Sequence, residues 1–232
     1  YSYTKLYYWL TVAVRFYLGL MLINYGLYKI IKIQFPAPFL WRLIEPYGES
    51  SPMGLAWTFL GFSKGYNLFM GIAEVLSGLL LFRRSLAAGA IITLMTTTNV
   101  MAINYFYDVP VKILSTHLVL MAMLLLSRDI KAVVTFFFTS NTISLNPILQ
   151  PRFKRKWIKP TLSGFKMLFL IFVIGYGLVQ IIDNQKEFGD EAPKPALYGL
   201  YEILHFEKNG DTIPPNVNDN NRWRYINMEF SG

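Results

Sequence analysis

Five long apolar stretches are the strongest constraint on what this chain can fold into. They cover residues 7–31, 63–82, 85–107, 110–127 and 161–182, and a helix needs about 20 mostly apolar residues to cross a bilayer. Composition agrees, because 53% of the residues are hydrophobic and only 16% are charged, against about 25% charged residues in soluble domains. The sequence therefore predicts an integral membrane protein with five spans and with its termini on opposite sides of the membrane.

The distribution of Lys and Arg predicts the orientation, because short cytoplasmic loops carry the excess of these residues. Residues 128–166 contain eight Lys/Arg and one Asp, and Lys5, Arg83 and Arg84 fall on the same side. The tail from Asp183 onward contains nine Asp/Glu and five Lys/Arg. We therefore expect a bacterial inner-membrane protein with a cytoplasmic N-terminus and a periplasmic tail.

The segment 130–160, before the fifth span, is predicted to be a basic cytoplasmic interfacial segment. Its run RFKRKW at 152–157 could hold nucleic acid, but beside a span such a run is more typical of a topology signal that touches anionic headgroups. We expect no nucleic-acid partner. The segment also contains one apolar helix face, formed by Ile130, Val133, Val134, Phe137 and Phe138. This face is expected to lie either along the membrane surface or against the bundle.

The ends of the spans carry two further units. Residues 33–64 are rich in Pro and aromatic residues, and we expect short helices there that cap the outer face. In the acidic tail, 183–232, Asn209-Gly210 between apolar runs predicts a β-hairpin, and 223–230 (WRYINMEF) predicts a further strand. Three strands bury little core, so we expect this domain to be completed by further chain or by a partner protein. We also expect the gene product to begin before Tyr1, which is not an initiator Met.

Polar residues recur inside the first two spans at helical spacing. Ionisable groups at membrane depth usually face the interior of a bundle, and glycines allow two helices to approach closely. We therefore expect the two faces to meet. They are formed by Arg15, Gly19, Leu22, Gly26 and Lys29 in the first span and by Asn67, Gly71, Glu74 and Gly78 in the second.

Depth along the helices predicts two polar clusters. At about 1.5 Å per residue, Arg15 and Glu74 each lie about 12 Å from the inner end of their spans, which predicts an ion pair. The same layer is expected to contain Arg15, Glu74, Thr96, Thr97, Asn99 and His117. An outer cluster is expected to contain Lys29, Asn67, Asn104, Asp108 and Lys112.

Both clusters have a structural interpretation as well as a functional one. In the inner layer an Arg–Glu pair can simply fix helix register, and Thr hydroxyls can bond back to their own helix. That layer is equally consistent with a ligand or proton site. For Lys29, Asp108 and Lys112, near the headgroups, snorkelling and loop capping are the expected roles.

Catalytic and metal motifs are absent from the sequence. The chain has no Cys, which excludes a disulfide, a thiolate metal site and a thiol redox pair. Its two histidines, His117 and His205, fall on separate units, too few and too far apart for a His-based metal site. We therefore predict no metal, no evident cofactor and no catalytic residue, and an enzymatic function is disfavoured.

Several of these residues together resemble the DoxX-like integral membrane proteins over about residues 7–129. The resemblance rests on RFYLGLMLINYGLYKI (15–30), GIAEVLSGLLLF (71–82), Arg83-Arg84 and a fourth span with His117. The family pattern falls on Arg15, Gly26, Lys29, Glu74 and Gly78. It implies an all-α, four-helix membrane bundle, residues 1–129, near quinone-linked respiratory or sulfur-oxidising complexes. The fifth helix, 161–182, and the β-rich tail lie outside the family core.

Two functional hypotheses follow from different features. The first is an integral accessory subunit or scaffold whose outward tail docks other protein subunits, besides its contact with membrane lipids. The second is a site for a quinone or a lipid headgroup inside the bundle, because convergent polar groups in an apolar pocket are the usual form of such sites. A transporter is less favoured, since neither an inverted repeat nor a pair of broken helices is visible.

Overall fold

The computed structural model describes residues 3–139, 155, 157–216 and 222–229, and within them the chain is mostly helical with a small sheet region in the tail. The α-helices of these residues are α1 Thr4–Ile30, α2 Pro52–Phe62, α3 Lys64–Val75, α4 Leu86–Phe106, α5 Lys112–Ser127, α6 Ile130–Phe138 and α7 Ile158–Phe188. Three of them, α1, α4 and α7, are long and apolar enough to cross a membrane. The prediction of a helical membrane protein is therefore confirmed at this level.

The second apolar stretch is not one α-helix, as the sequence suggested. The α-helix ends at Val75, and Leu76–Leu81 form a 3₁₀-helix, which rises about 2.0 Å per residue instead of about 1.5 Å. Its last carbonyl oxygens accept hydrogen bonds from side chains, which stabilise this end of the segment. These bonds join Ser85 Oγ to Leu79 O, Arg15 Nε to Leu80 O and Lys166 Nζ to Leu81 O.

The predicted contact between the first two polar faces is present in the structure. A Cβ atom built on Gly26 would lie 2.5 Å from the Gly71 carbonyl oxygen, and one built on Gly71 would lie 2.6 Å from the Gly26 carbonyl oxygen. Only glycine permits two backbones to pass this closely. The antiparallel pair α1 and α3 is thus held at one crossing near the C-terminal end of α1.

The bundle core lies nearer the other end, where α1, the 3₁₀-helix, α4 and α5 meet. The helices α4 and α5 form a tight antiparallel hairpin, joined through Asp108, whose φ of 53° is left-handed. The buried apolar residues of this core are Val14, Leu18, Leu80, Leu86, Ala90, Leu118, Ala122, Leu125 and Leu126.

The helix α7 lies at the edge of the bundle and packs mainly against α1. Its 31 residues span about 46 Å, more than the hydrocarbon core of about 30 Å, and few of its side chains are buried. The exposed ones, Phe165, Leu168, Ile171, Phe172 and Val179 among them, are suited to contact with lipid.

A cap covers the C-terminal end of α1 and the start of α3. It begins after α1, at Lys32, and contains two 3₁₀-helices, Leu40–Leu43 and Tyr47–Glu49, followed by α2. The N-terminus of α2 is set by Ser51, whose hydroxyl accepts the Gly54 N–H at 3.0 Å, and by Pro52 in the first turn. We call this end of the bundle the capped end and the opposite end, with Arg83, the basic end.

The tail is fastened to the cap through two carboxylates. Asp190 accepts from Lys32 Nζ at 2.7 Å and from the Ala37 N–H at 2.8 Å, and Glu229 accepts from the Leu40 N–H at 2.9 Å. Lys32 follows the C-terminus of α1 and has a left-handed φ of 64°, so its ion pair with Asp190 helps to hold an unfavourable backbone conformation. The tail and the cap therefore stabilise each other.

Short antiparallel strands make up the ordered tail. Strands β2 Glu207–Lys208 and β3 Asp211–Thr212 form the predicted hairpin, with Asn209 and Gly210 both at positive φ in the turn. Strand β4 Tyr225–Met228 pairs with β1 Gly199–Glu202, in the register Gly199 opposite Met228. The expected strand in WRYINMEF is present, but no third strand pairs with β1 and β4 in the described part of the chain.

The segment between α5 and α7 is described only in part. The helix α6 covers the apolar face expected at 130–138, and Val133 packs against the bundle core. The basic run 152–157 lies outside the described residues, apart from Arg155 and Trp157.

Candidate functional site

A buried ion pair joins α1 to α3 at the capped end. Lys29 Nζ lies 2.6 Å from both carboxylate oxygens of Glu74, and the two side chains are only 6% and 5% exposed. The ammonium also lies 5.8 Å from the ring centre of Phe35 and 6.0 Å from that of Tyr25. These rings shield the pair from solvent and add cation–π attraction.

The predicted ion pair between Arg15 and Glu74 is wrong. Side chains on an α-helix lean toward its N-terminus, and α1 and α3 are antiparallel. Arg15 therefore leans toward the basic end, whereas Glu74 leans toward the capped end, where Lys29 leans back to meet it. The depth estimate counted residues from the ends of the apolar stretches and did not include this lean. The larger rise of the 3₁₀-helix also puts Glu74 farther from the inner end of its span than a count for an α-helix gives.

Arg15 occupies a different environment, at the basic end. It is 2% exposed, and its Nε donates to the Leu80 carbonyl oxygen at 2.8 Å. In the described residues no carboxylate lies within ion-pair distance of its guanidinium, and two further cations, Arg83 and Arg128, act on it electrostatically. The expected inner polar layer is thus divided between the two ends of the bundle.

A cavity of about 120 Å³ adjoins the Lys29–Glu74 pair. Its walls come from the end of α1, the cap, α3 and α4, and an engineered cavity of about 150 Å³ holds a benzene ring. This cavity is slightly smaller but is open on one side, so it has room for a few water molecules or for one small ring that extends through the opening. It is lined by Lys29, Gln34, Phe35, Trp57, Leu60, Tyr66, Phe69, Met70, Ala73, Glu74, Thr96, Asn99, Val100, Ile103 and Asn104.

The cavity combines an aromatic wall with several polar groups. Two N–H groups of Lys29 are used by Glu74, which leaves the third as a donor. Asn104, which is 5% exposed, and Asn99 contribute amides from α4. Gln34 Oε1 is buried and has no hydrogen-bond partner among the described residues, so it can accept from a bound molecule. The site can thus donate to and accept from a small polar headgroup.

Thr96 and Thr97 of α4 behave as the structural interpretation proposed. Thr97 donates to the Thr93 carbonyl oxygen at 2.7 Å, and Thr96 donates to that of Ile92 at 3.0 Å. Thr97 is fully buried against the bundle and does not line the cavity. Thr96 lines it, but with its hydroxyl proton committed to its own helix.

His117 does not join the polar layer. Its ring is exposed, and Nδ1 donates to the Ile113 carbonyl oxygen at 2.7 Å within α5. A register argument could have found this, because the buried positions of α5 are Ser115, Leu118, Val119, Ala122, Leu125 and Leu126, and His117 falls off that face. It lines a shallow groove beside Tyr17 and Met121.

The expected outer cluster also separates into parts. Lys29 and Asn104 line the cavity, so the expected snorkelling of Lys29 is wrong. Asn67 is buried but donates to the Leu60 and Ser63 carbonyl oxygens, at 2.7 and 3.0 Å, and thereby joins α2 to α3. Asp108 and Lys112 form a local, exposed ion pair between α4 and α5, as loop capping requires.

Sequence reasoning missed the contribution of the cap to the cavity. Gln34, Phe35 and Trp57 all come from the segment that was expected only to cover the outer face. The rings of Phe35 and Trp57 meet edge to face at 5.1 Å. The Ser51-Pro52 helix start was a usable indication that an apolar helix with Trp57 begins here, but it does not indicate what that helix packs against.

Comparison with known proteins gives one informative relative. Over 119 residues the chain is 37% identical to the uncharacterized protein YwoB of Bacillus subtilis (strain 168), and the match covers 50% of this chain and 73% of YwoB. No family model matches the chain, and no solved structure matches it. The identity and the coverage show that the chain belongs to the same protein family as YwoB.

Proposed function

We propose that this protein binds the ring of a quinone in the cavity beside Lys29 and Glu74. The observation that carries the proposal is the buried ion pair in the wall of that cavity. Such a pair is costly to bury, and this one keeps a spare donor beside aromatic side chains. A quinone ring presents flat apolar faces to the aromatic wall and carbonyl oxygens to the Lys29 ammonium and the asparagine amides.

The position of the cavity supports a ligand that arrives from the membrane. Its wall between α3 and α4 includes Phe69 and Asn99, which are exposed on the surface of the bundle. We propose that α3 with its 3₁₀-helix and α5 also cross the membrane, which gives five crossings with the N-terminus cytoplasmic and the tail periplasmic. A lipid-soluble ligand then enters sideways from the outer leaflet of a bacterial inner membrane. The DoxX-like pattern and its quinone-linked associations support the same ligand class.

Trp57 provides a direct test, because it lies in the cavity wall. The full chain in mild detergent is titrated with a short-chain quinone, and tryptophan quenching is compared with that of Trp57→Phe. We expect saturable quenching that Trp57→Phe largely removes. Asn99→Leu should weaken binding without unfolding the protein, whereas Asn216→Leu, in the tail and away from the cavity, should leave it unchanged.

Solvent extraction of the purified protein gives an independent test. Quinone that copurifies with the wild type and is lost from Asn99→Leu would support the proposal. Equal quenching in all variants, or a copurifying lipid with no quinone, would contradict it.

A second role, as an accessory subunit that docks another protein, is favoured by the tail. The β1–β4 sheet has two strands, and a sheet of two strands is rarely stable alone. Its outer edges have no partner strand in the described residues, so a strand from another subunit could extend it. Crosslinking from a residue placed at Tyr201 should then capture a partner subunit in native membranes, and a control residue at Val111, exposed in the turn between α4 and α5, should not.

A further inference from the structure

A second site lies at the opposite end of the bundle, against α7. An apolar groove of about 600 Å³ runs between α7 and the α3–3₁₀ segment. Its walls include Leu76, Leu79 and Phe82 on one side and Met167, Ile171 and Gly175 on the other. Leu76, Phe82 and Ile171 are exposed, so the groove is open along its length to the surroundings of the bundle.

Three cations gather where this groove ends. Lys166, next to Met167 in the groove wall, has its ammonium 5.1 Å from the ring centre of Phe82 and 5.3 Å from that of Phe16. Arg15 and Arg83 are near enough to act electrostatically on Lys166. None of these three has a carboxylate within ion-pair distance among the described residues.

The donors of these cations are only partly used. The Lys166 ammonium donates to the Leu81 carbonyl oxygen, which leaves two of its three N–H groups. Arg83 Nη2 donates to the Tyr8 hydroxyl at 2.9 Å, while its Nη1 is buried and has no hydrogen-bond partner in the described part of the chain. Uncompensated charge of this kind favours an anion at the mouth of the groove.

We propose that this groove binds one anionic phospholipid. The acyl chain lies between α7 and the 3₁₀-helix, where the walls are apolar, and the phosphate lies at Lys166 and Arg83. The groove and the cations are adjacent, and an anionic phospholipid is the amphiphile that carries both complementary parts. The bound lipid would also hold α7 against the bundle, to which it is otherwise joined mainly through α1.

Native mass spectrometry of the full chain released from detergent tests the proposal. Phosphatidylglycerol and phosphatidylcholine with identical acyl chains are added in separate titrations. We expect one phosphatidylglycerol to bind in preference to phosphatidylcholine. Lys166→Gln should weaken that binding about fivefold, as expected for one Lys near anionic headgroups, whereas Lys159→Gln, an exposed lysine two turns earlier on α7, should not.

The acyl-chain part of the site has its own matched variants. Gly175 and Gly164 both lie on α7 with nothing within 4 Å of a built Cβ atom, but only Gly175 lines the groove. Gly175→Leu should therefore fill the groove and reduce lipid binding, and Gly164→Leu should leave it unchanged. A Cβ atom meets no neighbour at either position, so we expect both variants to fold.

Three outcomes would overturn the proposal. They are equal affinity for the two lipids, equal effects within either matched pair of variants, and displacement of the lipid by millimolar inorganic phosphate. The last result would assign the cations to free phosphate instead of a phospholipid.

Discussion

The two ends of the bundle satisfy a buried cation in different ways, although both cations come from one face of α1. At the capped end Lys29 is paired with a carboxylate, Glu74, beside a cavity. At the basic end Arg15 is held by a backbone carbonyl oxygen of the 3₁₀-helix and lies among other cations. The ends therefore differ in local net charge, and this difference separates the quinone site that we propose from the phospholipid site that we propose.

The largest effect is expected when the pair at the capped end is broken. Lys29→Met leaves the Glu74 carboxylate buried without a partner, which should lower the free energy of unfolding by about 3–5 kcal/mol. The double variant Lys29→Met/Glu74→Leu removes both charges and should recover much of that loss. Chemical unfolding in detergent, followed by circular dichroism, measures the cycle, and additive losses would show that the two groups do not act as a pair.

Arg15 should be less costly to replace than Lys29. Arg15→Met removes one charged hydrogen bond, worth about 1.5–3 kcal/mol, but it leaves no carboxylate unpaired and relieves repulsion from Arg83. The same unfolding assay compares the two single variants directly. A loss as large as that of Lys29→Met would imply that Arg15 has a buried anionic partner, and the contrast between the two ends would fail.

Two glycines of α1 allow the closeness of helix packing at the two ends of the bundle to be compared. A Cβ atom at Gly26 would lie 2.5 Å from the Gly71 carbonyl oxygen, whereas one at Gly19 would lie 2.9 Å from Leu81 Cδ2, the end of a flexible side chain. Gly26→Ala should therefore destabilise by about 1–3 kcal/mol, as overpacking usually does, and Gly19→Ala by less. If Gly19→Ala proved the more costly variant in thermal unfolding, the rigid crossing would lie at the basic end.

Much of the fold could be predicted from the sequence because it depends on periodicity and turn chemistry. Spacing alone placed Gly26 opposite the Gly71 face, and Asn209-Gly210 predicted the hairpin. The site was harder, since it depends on where side chains point. To predict that Lys29 and Glu74 lean toward each other, the exact register of the antiparallel helices α1 and α3 must be known. The cap that brings Trp57 to the cavity is a tertiary arrangement, and no periodic pattern in the sequence indicates it.

The winding of Leu76–Leu81 was also out of reach of the sequence. Its composition is that of any apolar helix, and the 3₁₀ form is accompanied by three donors from other elements, Arg15, Ser85 and Lys166. Those donors come together only after α1, α4 and α7 have packed. Local helix propensity therefore does not predict the 3₁₀-helix, whose Leu80 carbonyl oxygen accepts the hydrogen bond from Arg15.

The smallest effect is expected at Asp108, whose exposed ion pair with Lys112 contrasts with the buried Lys29–Glu74 pair at the same end of the bundle. A hydrogen bond from Lys112, together with its positive charge, lowers the pKa of Asp108 below the usual aspartate value. A lowered pKa in the folded state means that the pair contributes stability above the unfolded-state pKa and that this stability is lost as the pH falls through the folded-state pKa.

Lys112→Gln should return the pKa of Asp108 toward its ordinary value, measured by NMR titration of the carboxyl carbon. The same substitution should change the free energy of unfolding little, because both side chains face solvent. An unchanged pKa of Asp108 in Lys112→Gln would show that the pair does not persist in solution. A large loss of stability would mean that this exposed pair contributes as much to stability as the buried Lys29–Glu74 pair, against our expectation.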